Sequence, residues 1–166
     1  MDRAELEREL EGLHTACWGW ALACCGRDRD AAEETLQSAY LKILSGQARF
    51  DGRSAVRTWV FGVIRHTAHE ELRRRSIRSV REQSDDAEVA AANESAADAQ
   101  AEREEQREKL LAALSTISPR QREVLTLVFY HEMTIEEAAE VMQISLGSAR
   151  THYDRGKKML AREITR

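Results

Sequence analysis

The stretch SPRQREVLTLVFYHEMTIEEAAEVMQISLGSARTHYDRGKK, residues 118–158, decides the fold. Ser118-Pro119-Arg120-Gln121 sets a capping Ser, a Pro at the first helical position and a Gln three residues after the cap, a pattern that satisfies exposed helix-start N–H groups. Thr134-Ile135-Glu136-Glu137 repeats the capping box, and Ser145 can cap one more helix. Only Met142, Gln143 and Ile144 are left for the turn between the last two helices, the short connection that a helix-turn-helix needs. With Ser145 as cap, Ala149, Tyr153, Gly156 and Leu160 share an inward face. Ser148, Thr151, Arg155 and Lys158 lie opposite, flanked by Arg150, Asp154 and Lys157. That polar surface suits base edges and phosphates in the major groove, so the segment predicts contact with double-stranded DNA. Arg150 and Arg155 are the expected guanine or phosphate partners, and Lys157 and Lys158 the expected backbone contacts.

Upstream of this segment the chain turns acidic. From Glu82 to Glu108 ten acidic residues stand against Arg103 and Arg107, a balance of −8, while the whole chain of 166 residues carries −4. The remainder is therefore at +4, and an overall negative charge is no argument against nucleic acid. Between Ser76 and Ala101 the larger apolar residues are few, Val80 and Val89 foremost, too little to drive folding. A flexible acidic linker is expected, with helix resuming near Glu102. Leu110, Leu111 and Leu114 would then face a second core built with Val124, Leu125, Leu127, Val128, Ile135, Ala138, Ala139, Val141 and Met142.

The first part of the chain holds three amphipathic patterns. Leu6, Leu10, Leu13, Cys17, Trp20, Ala21 and Cys24 recur at helical spacing until Gly26. A second helix starts at Asp30 with Glu33 three residues on, and buries Leu36, Ala39, Tyr40, Ile43 and Leu44. A polar loop, Gln47 to Ser54, leads to a third helix over Ala55 to Arg75, with Val56, Trp59, Val60, Val63, Ile64, Thr67, Ala68 and Leu72 inward. Such helices close one bundle core. Five arginines within nine residues, Arg73, Arg74, Arg75, Arg78 and Arg81, exceed what a helix C-terminus needs and suggest phosphate binding. Trp59 and Phe61 serve either a core or the stacking of unpaired bases; the period favours the core for Trp59 and leaves Phe61 open.

Composition agrees with an all-α protein of two small helical domains, an N-terminal three- to four-helix bundle and a C-terminal helix-turn-helix domain, joined by the flexible acidic linker. Only one Pro is present, and alternating β-branched runs are missing. The expected division is 1–78, 79–103 and 104–166. A charged N-terminus and the lack of any run of roughly 18 apolar residues predict a soluble cytoplasmic protein with no membrane insertion. Cys17, Cys24 and Cys25, odd in number and clustered in one apolar helix, read as reduced core thiols. With His14 they match no standard zinc spacing, and His66, His69 and Glu70 form no recognised protease signature. Neither metal nor cofactor is expected.

Taken together, these residues resemble the extracytoplasmic-function group of bacterial RNA polymerase sigma factors, in the sigma-70 family. The run from Asp30 to Leu44 looks like that group's polymerase-binding helix, and Thr58-Trp59-Val60-Phe61 through Arg65 and Leu72-Arg73-Arg74-Arg75 look like its promoter-melting helix. Leu111 to Leu160, with Pro119-Arg120-Gln121-Arg122-Glu123-Val124-Leu125, is similar to its C-terminal domain throughout. The resemblance implies a non-enzymatic subunit. Glu33, Glu34, Gln37 and Tyr40 would dock on the coiled coil of the polymerase largest subunit, and the second module would touch the flap of the other large subunit. Arg150, Thr151, Asp154 and Arg155 would read the minus 35 duplex, with Ser148, Lys157 and Lys158 on the same face. Phe50, Arg53, Ser54, Trp59, Phe61, Arg65, His66, Arg73, Arg74 and Arg75 would handle the melted minus 10 strand, including one flipped base. The acidic linker would run through or near the active-site channel and the RNA exit path. An anti-sigma partner is implied by the resemblance alone.

Four residues depart from the group's pattern. Ser38 stands where an acid is usual, His66 for an Asn beside the flipped base, Glu70 for an Asp, and Gln143 for the Gly of the turn. A left-handed backbone at Gln143 would cost about 1 kcal/mol. Asp154 brings a negative charge to the reading face, able to accept from a cytosine amine or to repel phosphate. Two other classes compete: a stand-alone helix-turn-helix regulator with an N-terminal sensing or dimerising domain, and a bundle metalloenzyme using His66, His69 and Glu70. The second lacks the paired Glu-x-x-His ligands of such bundles.

Overall fold

A computed structural model describes residues 1–81 and 99–165. Those residues form seven α-helices and no strand: α1 Arg3–Cys24, α2 Arg29–Leu44, α3 Val56–Arg81, α4 Ala99–Thr116, α5 Pro119–Leu125, α6 Ile135–Met142 and α7 Leu146–Ile164. The all-α expectation holds. The heart of the acidic linker, residues 82–98, lies outside the described residues. Its expected ends, 79–81 and 99–103, are helical; at the second, Ala, Gln, Glu and Arg carry strong helix propensity.

Helix starts follow local chemistry. Asp2 with Glu5, Ser118 with Gln121 and Thr134 with Glu137 each form a reciprocal capping box. At α2 the cap is Asp28 rather than the expected Asp30. Gly26 and Arg27 turn the chain with φ of 61° and 68°, and this brings the Asp28 carboxylate to accept from the Ala31 N–H at 3.0 Å. After Leu125 the helix widens into one π-helical turn, Thr126–Tyr130, which leaves Phe129 and Tyr130 exposed.

Helices α1, α2 and α3 pack as a bundle around Cys17, Trp20, Ala32, Leu36, Ile43, Val60 and Ile64. Helices α5, α6 and α7 pack around Val124, Leu125, Leu127, Val141, Met142 and Ala149, with α4 leaning on α7. Separate cores were expected, but α3 lies along α6 and the buried side chains form one continuous cluster. Gly62 lies at this approach, where an added Cβ would stand at an ordinary contact distance, 3.9 Å, from the Val141 carbonyl oxygen. The contact also explains why the inward stripe of α3 is broader than its period suggests. Phe61, which the period left open, is fully buried, and Trp59, expected in the core, is only half-buried, because α3 is covered on a second side.

The plug of that second side is His131. Its ring meets Phe61 edge-on at 4.8 Å and Trp20 at 5.9 Å, while Trp20 and Phe61 stack at 5.8 Å. The Trp20 indole N–H donates to the Phe61 carbonyl at 3.0 Å. Beside them the Tyr130 ring lies over Gly19, where a Cβ would come within 3.4 Å of it.

Candidate nucleic-acid interface

The recognition surface rests on α7. Ser145 accepts from the Ser148 N–H at 3.1 Å, which fixes the start of the helix and the phase of its faces. Ala149 and Gly156 are buried, Tyr153 and Leu160 half-buried, and Ser148, Arg150, Thr151, Asp154, Arg155, Lys157 and Lys158 are all exposed. Arg150 comes within 3.5 Å of Glu136, an exposed pair that holds it only weakly. Lys157 lies over the Tyr153 ring, and Tyr153 stacks on Phe129 at 5.9 Å. Gln143, which ends α6, has φ 53° and ψ 44°, so the turn does need the left-handed conformation for which the resemblance supplies Gly.

The first-module residues sort into three places. Glu33 and Gln37 are exposed on α2; Glu34 there meets Arg75 at 2.7 Å, and Tyr40 is half-buried with its hydroxyl 3.1 Å from His14 Nδ1. Burial, and then the neighbouring Cys17, push the Tyr40 hydroxyl pKa up, so it remains a protonated donor. Phe50 and Trp59 meet at 5.2 Å beside the 45–55 loop, where Arg53 is exposed and Ser54 partly so. Along α3 beyond Leu72, Arg73, Arg74 and Arg75 are exposed.

Two residues assigned to the melted strand lie elsewhere in this arrangement. Phe61 is inside the core. Arg65 donates from Nε and a terminal nitrogen to both carboxylate oxygens of Glu123, at 3.0 and 3.1 Å. His69 Nε2 joins at 3.4 Å from Glu123 Oε1, and both side chains of the main pair are only 12% and 14% exposed. Burial alone would raise the Glu123 carboxyl pKa, yet hydrogen bonds from His69 and Arg65 and the guanidinium charge hold it below the ordinary carboxylate value.

A half-open cavity of about 450 Å³ lies between α2, the 45–55 loop and α3. Lys42, Thr58, Trp59, His66 and Glu70 are among its first-module lining, and Glu140 and Gln143 of α6 stand at the same cavity. Lys42 pairs with Glu70 and also donates to Thr67 at 3.4 Å; His66 lies 3.4 Å from Glu70. The Lys42 hydrogen bond holds the Glu70 carboxyl below its usual pKa. Sequence reasoning missed Lys42, Glu123 and His131, because helical period says which face a residue is on and not which distant helix will cover it.

His66 and His69 approach different carboxylates, and among the described residues no group of three His, Cys, Asp or Glu side chains converges. Cys17, Cys24 and Cys25 are free thiols, and burial pushes Cys17 up to about 11 and raises the other two, so they stay protonated. Among the described residues no helix is long and apolar enough to cross a membrane.

Comparison with known proteins agrees with this geometry. The sigma-70 region 2 family model matches residues 11–77, and the sigma-70 region 4 model matches 107–160. Among curated relatives, the ECF RNA polymerase sigma factor SigX of Bacillus subtilis (strain 168) is 27% identical over 143 residues, 83% of this chain and 73% of that one. The RNA polymerase sigma factor YlaC of the same strain is 26% identical over 137 residues, 82% and 79% of the two chains. Among solved structures, sigma factor RpoE in complex with the anti-sigma factor NepR, from Bartonella quintana, superposes with a TM-score of 0.73 at 21% identity, covering 97% of each chain. CnrH, solved with the cytosolic domain of CnrY, gives 0.67 at 15% identity, over 99% of this chain and 90% of that one. These two show the fold alone.

The chain belongs to the sigma-70 family of RNA polymerase sigma factors, promoter-specificity subunits for the initiation of transcription. Within that family it is a member of the extracytoplasmic-function group.

Proposed function

We propose that residues 1–78 bind core polymerase and the melted minus 10 strand, that 79–103 link, and that 104–166 read the minus 35 duplex. Glu33, Glu34, Gln37 and Tyr40 form the contact with the largest-subunit coiled coil, and the second module reaches the flap of the second-largest subunit. Ser148, Arg150, Thr151, Asp154, Arg155, Lys157 and Lys158 meet duplex DNA, the arginines at bases or phosphates and the lysines at backbone. Phe50, Arg53, Ser54, Trp59, Phe61, Arg65, His66 and the Arg73 to Arg75 run handle the opened strand, with Trp59 as a stacking surface. Phe61 and Arg65 take part only once α3 parts from α5 and α6. Catalysis stays with the polymerase, and the setting is the cytoplasm.

The observation that carries the reading is the unbroken row of exposed polar and basic side chains on a capped α7, in one chain with a second, arginine-rich helix. An anti-sigma factor is a further partner, by analogy with the RpoE–NepR complex. The experiment is selection from a duplex library by the chain alone and by the chain with core polymerase. The assembled complex should select a two-part site and the free chain should bind weakly. Tight selection by the free chain would instead favour a stand-alone regulator.

A further inference from the structure

We infer that Phe129, which lies outside the recognition helix, is a positioning residue for duplex DNA: it stacks on Tyr153 of α7, and that stack holds the Lys157 ammonium ready for a backbone phosphate. The inference rests on the reading above, in which Lys157 contacts the duplex backbone. Phe129 is 62% exposed, so burial does not account for its place. The π-helical turn does. The His131 N–H donates to the Thr126 carbonyl at 3.2 Å, the His131 ring enters the core, and Tyr130 lies over Gly19 of α1. Phe129 is left toward α7, with its ring centroid 5.9 Å from that of Tyr153 and 17° between the ring planes, within the range of a favourable aromatic pair.

Lys157 follows Tyr153 by one helical turn, and its Nζ stands 5.1 Å from the centroid of the same ring, within cation–π reach. Among the described residues no other cation lies over a ring. The contrast with Arg150 is one of charge. Arg150 approaches the Glu136 carboxylate, and an anion beside a cation offsets its attraction for phosphate. An aromatic face attracts a cation without neutralising it, so Lys157, exposed on α7, keeps its full charge for DNA. It also restricts a long, flexible side chain before DNA arrives. Part of the rotamer freedom that a phosphate contact would cost is thus already lost in the free protein. Tyr153 can hold the ammonium in one place only if its own ring is held, and Phe129 supplies that support from outside α7.

The test is duplex binding by the full chain with core polymerase, measured across a range of salt on a promoter selected by the wild-type complex. Phe129→Ala should weaken binding about two- to fivefold, the size of an exposed cation–π contact. Phe129→Trp, which keeps an aromatic stack, should bind as wild type does. Lys157→Met should weaken binding and make the salt dependence shallower by about one phosphate contact. In the Lys157→Met background Phe129→Ala should have no further effect. Thermal unfolding and polymerase affinity of each variant are measured alongside. A Phe129→Ala loss that is as large without Lys157 as with it would mean that the ring touches DNA or polymerase directly, or only braces α7; that result, or wild-type binding by Phe129→Ala, overturns the assignment. An unchanged salt slope in Lys157→Met removes that residue from the backbone and the assignment with it. A wild type that selects no upstream element overturns the reading of α7 itself.

Discussion

Arg65 and Glu123, 58 positions apart, grip each other through two N–H···O bonds of 3.0 and 3.1 Å where α3 lies against the start of the second module. The pair is enclosed, and a buried pair is far more costly to break from one side than it is favourable to make. It also ties up a guanidinium that the opened promoter strand would use. On the proposed reading of Arg65 as a strand contact, phosphate and Glu123 would compete for one cation.

Glu123→Gln should make that competition visible. The free chain should lose up to about 3–5 kcal/mol of stability, reduced by whatever the modules recover by parting. Single-stranded DNA binding by the variant should be tighter than wild type and fall more steeply with salt, since one more phosphate contact is open. Equal affinity and equal salt slope would mean that Arg65 is not withheld.

Much of this arrangement was readable beforehand, and the boundary is physical. Capping boxes at Ser118 and Thr134 and the exposed row on α7 depend on neighbours within a few residues, so sequence specifies them fully. Gln143 was a departure from a resemblance, and the backbone gives it the left-handed conformation anticipated. What sequence hid is contact between the two helical sets. Nothing local marks His131 as the plug between Trp20 and Phe61, or Glu123 as the partner of Arg65. Those roles follow from α3 lying along α6, a packing choice made by the whole chain.

His131 makes the packing sensitive to acid. Burial holds its imidazole neutral and lowers its pKa from 6.5 to about 4, with the Arg57 charge adding to the effect. In this window the unfolded chain binds the extra proton, so stability should fall as pH drops from 6.5 toward 4, by about 2–3 kcal/mol in all. Glu123, held below its usual value, adds a loss at still lower pH as its carboxylate is protonated. Thermal unfolding between pH 7 and 4 should show the slope, and His131→Phe should flatten it above pH 4.5. An unchanged slope in the variant would assign the titration to another group.

Gly156 and Gly12 make opposite predictions. A Cβ at Gly156 would stand 2.8 Å from Leu125 Cδ1 and 3.2 Å from Gln121 Cβ, so Gly156→Ala must repack the buried Leu125 side chain or shift α7 against α5. A net loss of about 1–3 kcal/mol is expected, with weaker duplex binding because the reading face moves. At Gly12 nothing lies within 4 Å, and Gly12→Ala should add about 0.5–1 kcal/mol through helix propensity. Melting temperatures of the two variants check both.

Gln143→Gly should relieve the left-handed turn at φ 53° and stabilise the second module by a net of about 1 kcal/mol or less. Base preference at the upstream element should stay as in wild type, since Gln143 ends α6 and the reading row is on α7. A changed preference would show that the turn itself reaches DNA.

The central claim is that this chain directs core polymerase to a two-part promoter, and run-off transcription from a promoter library tests it most directly. Core polymerase with the chain should initiate at templates sharing an upstream and a downstream element. Arg155→Ala should relax one upstream position, and Glu33→Ala with Glu34→Ala should abolish the transcripts by loss of polymerase binding. No promoter-dependent transcript from any template would contradict the account.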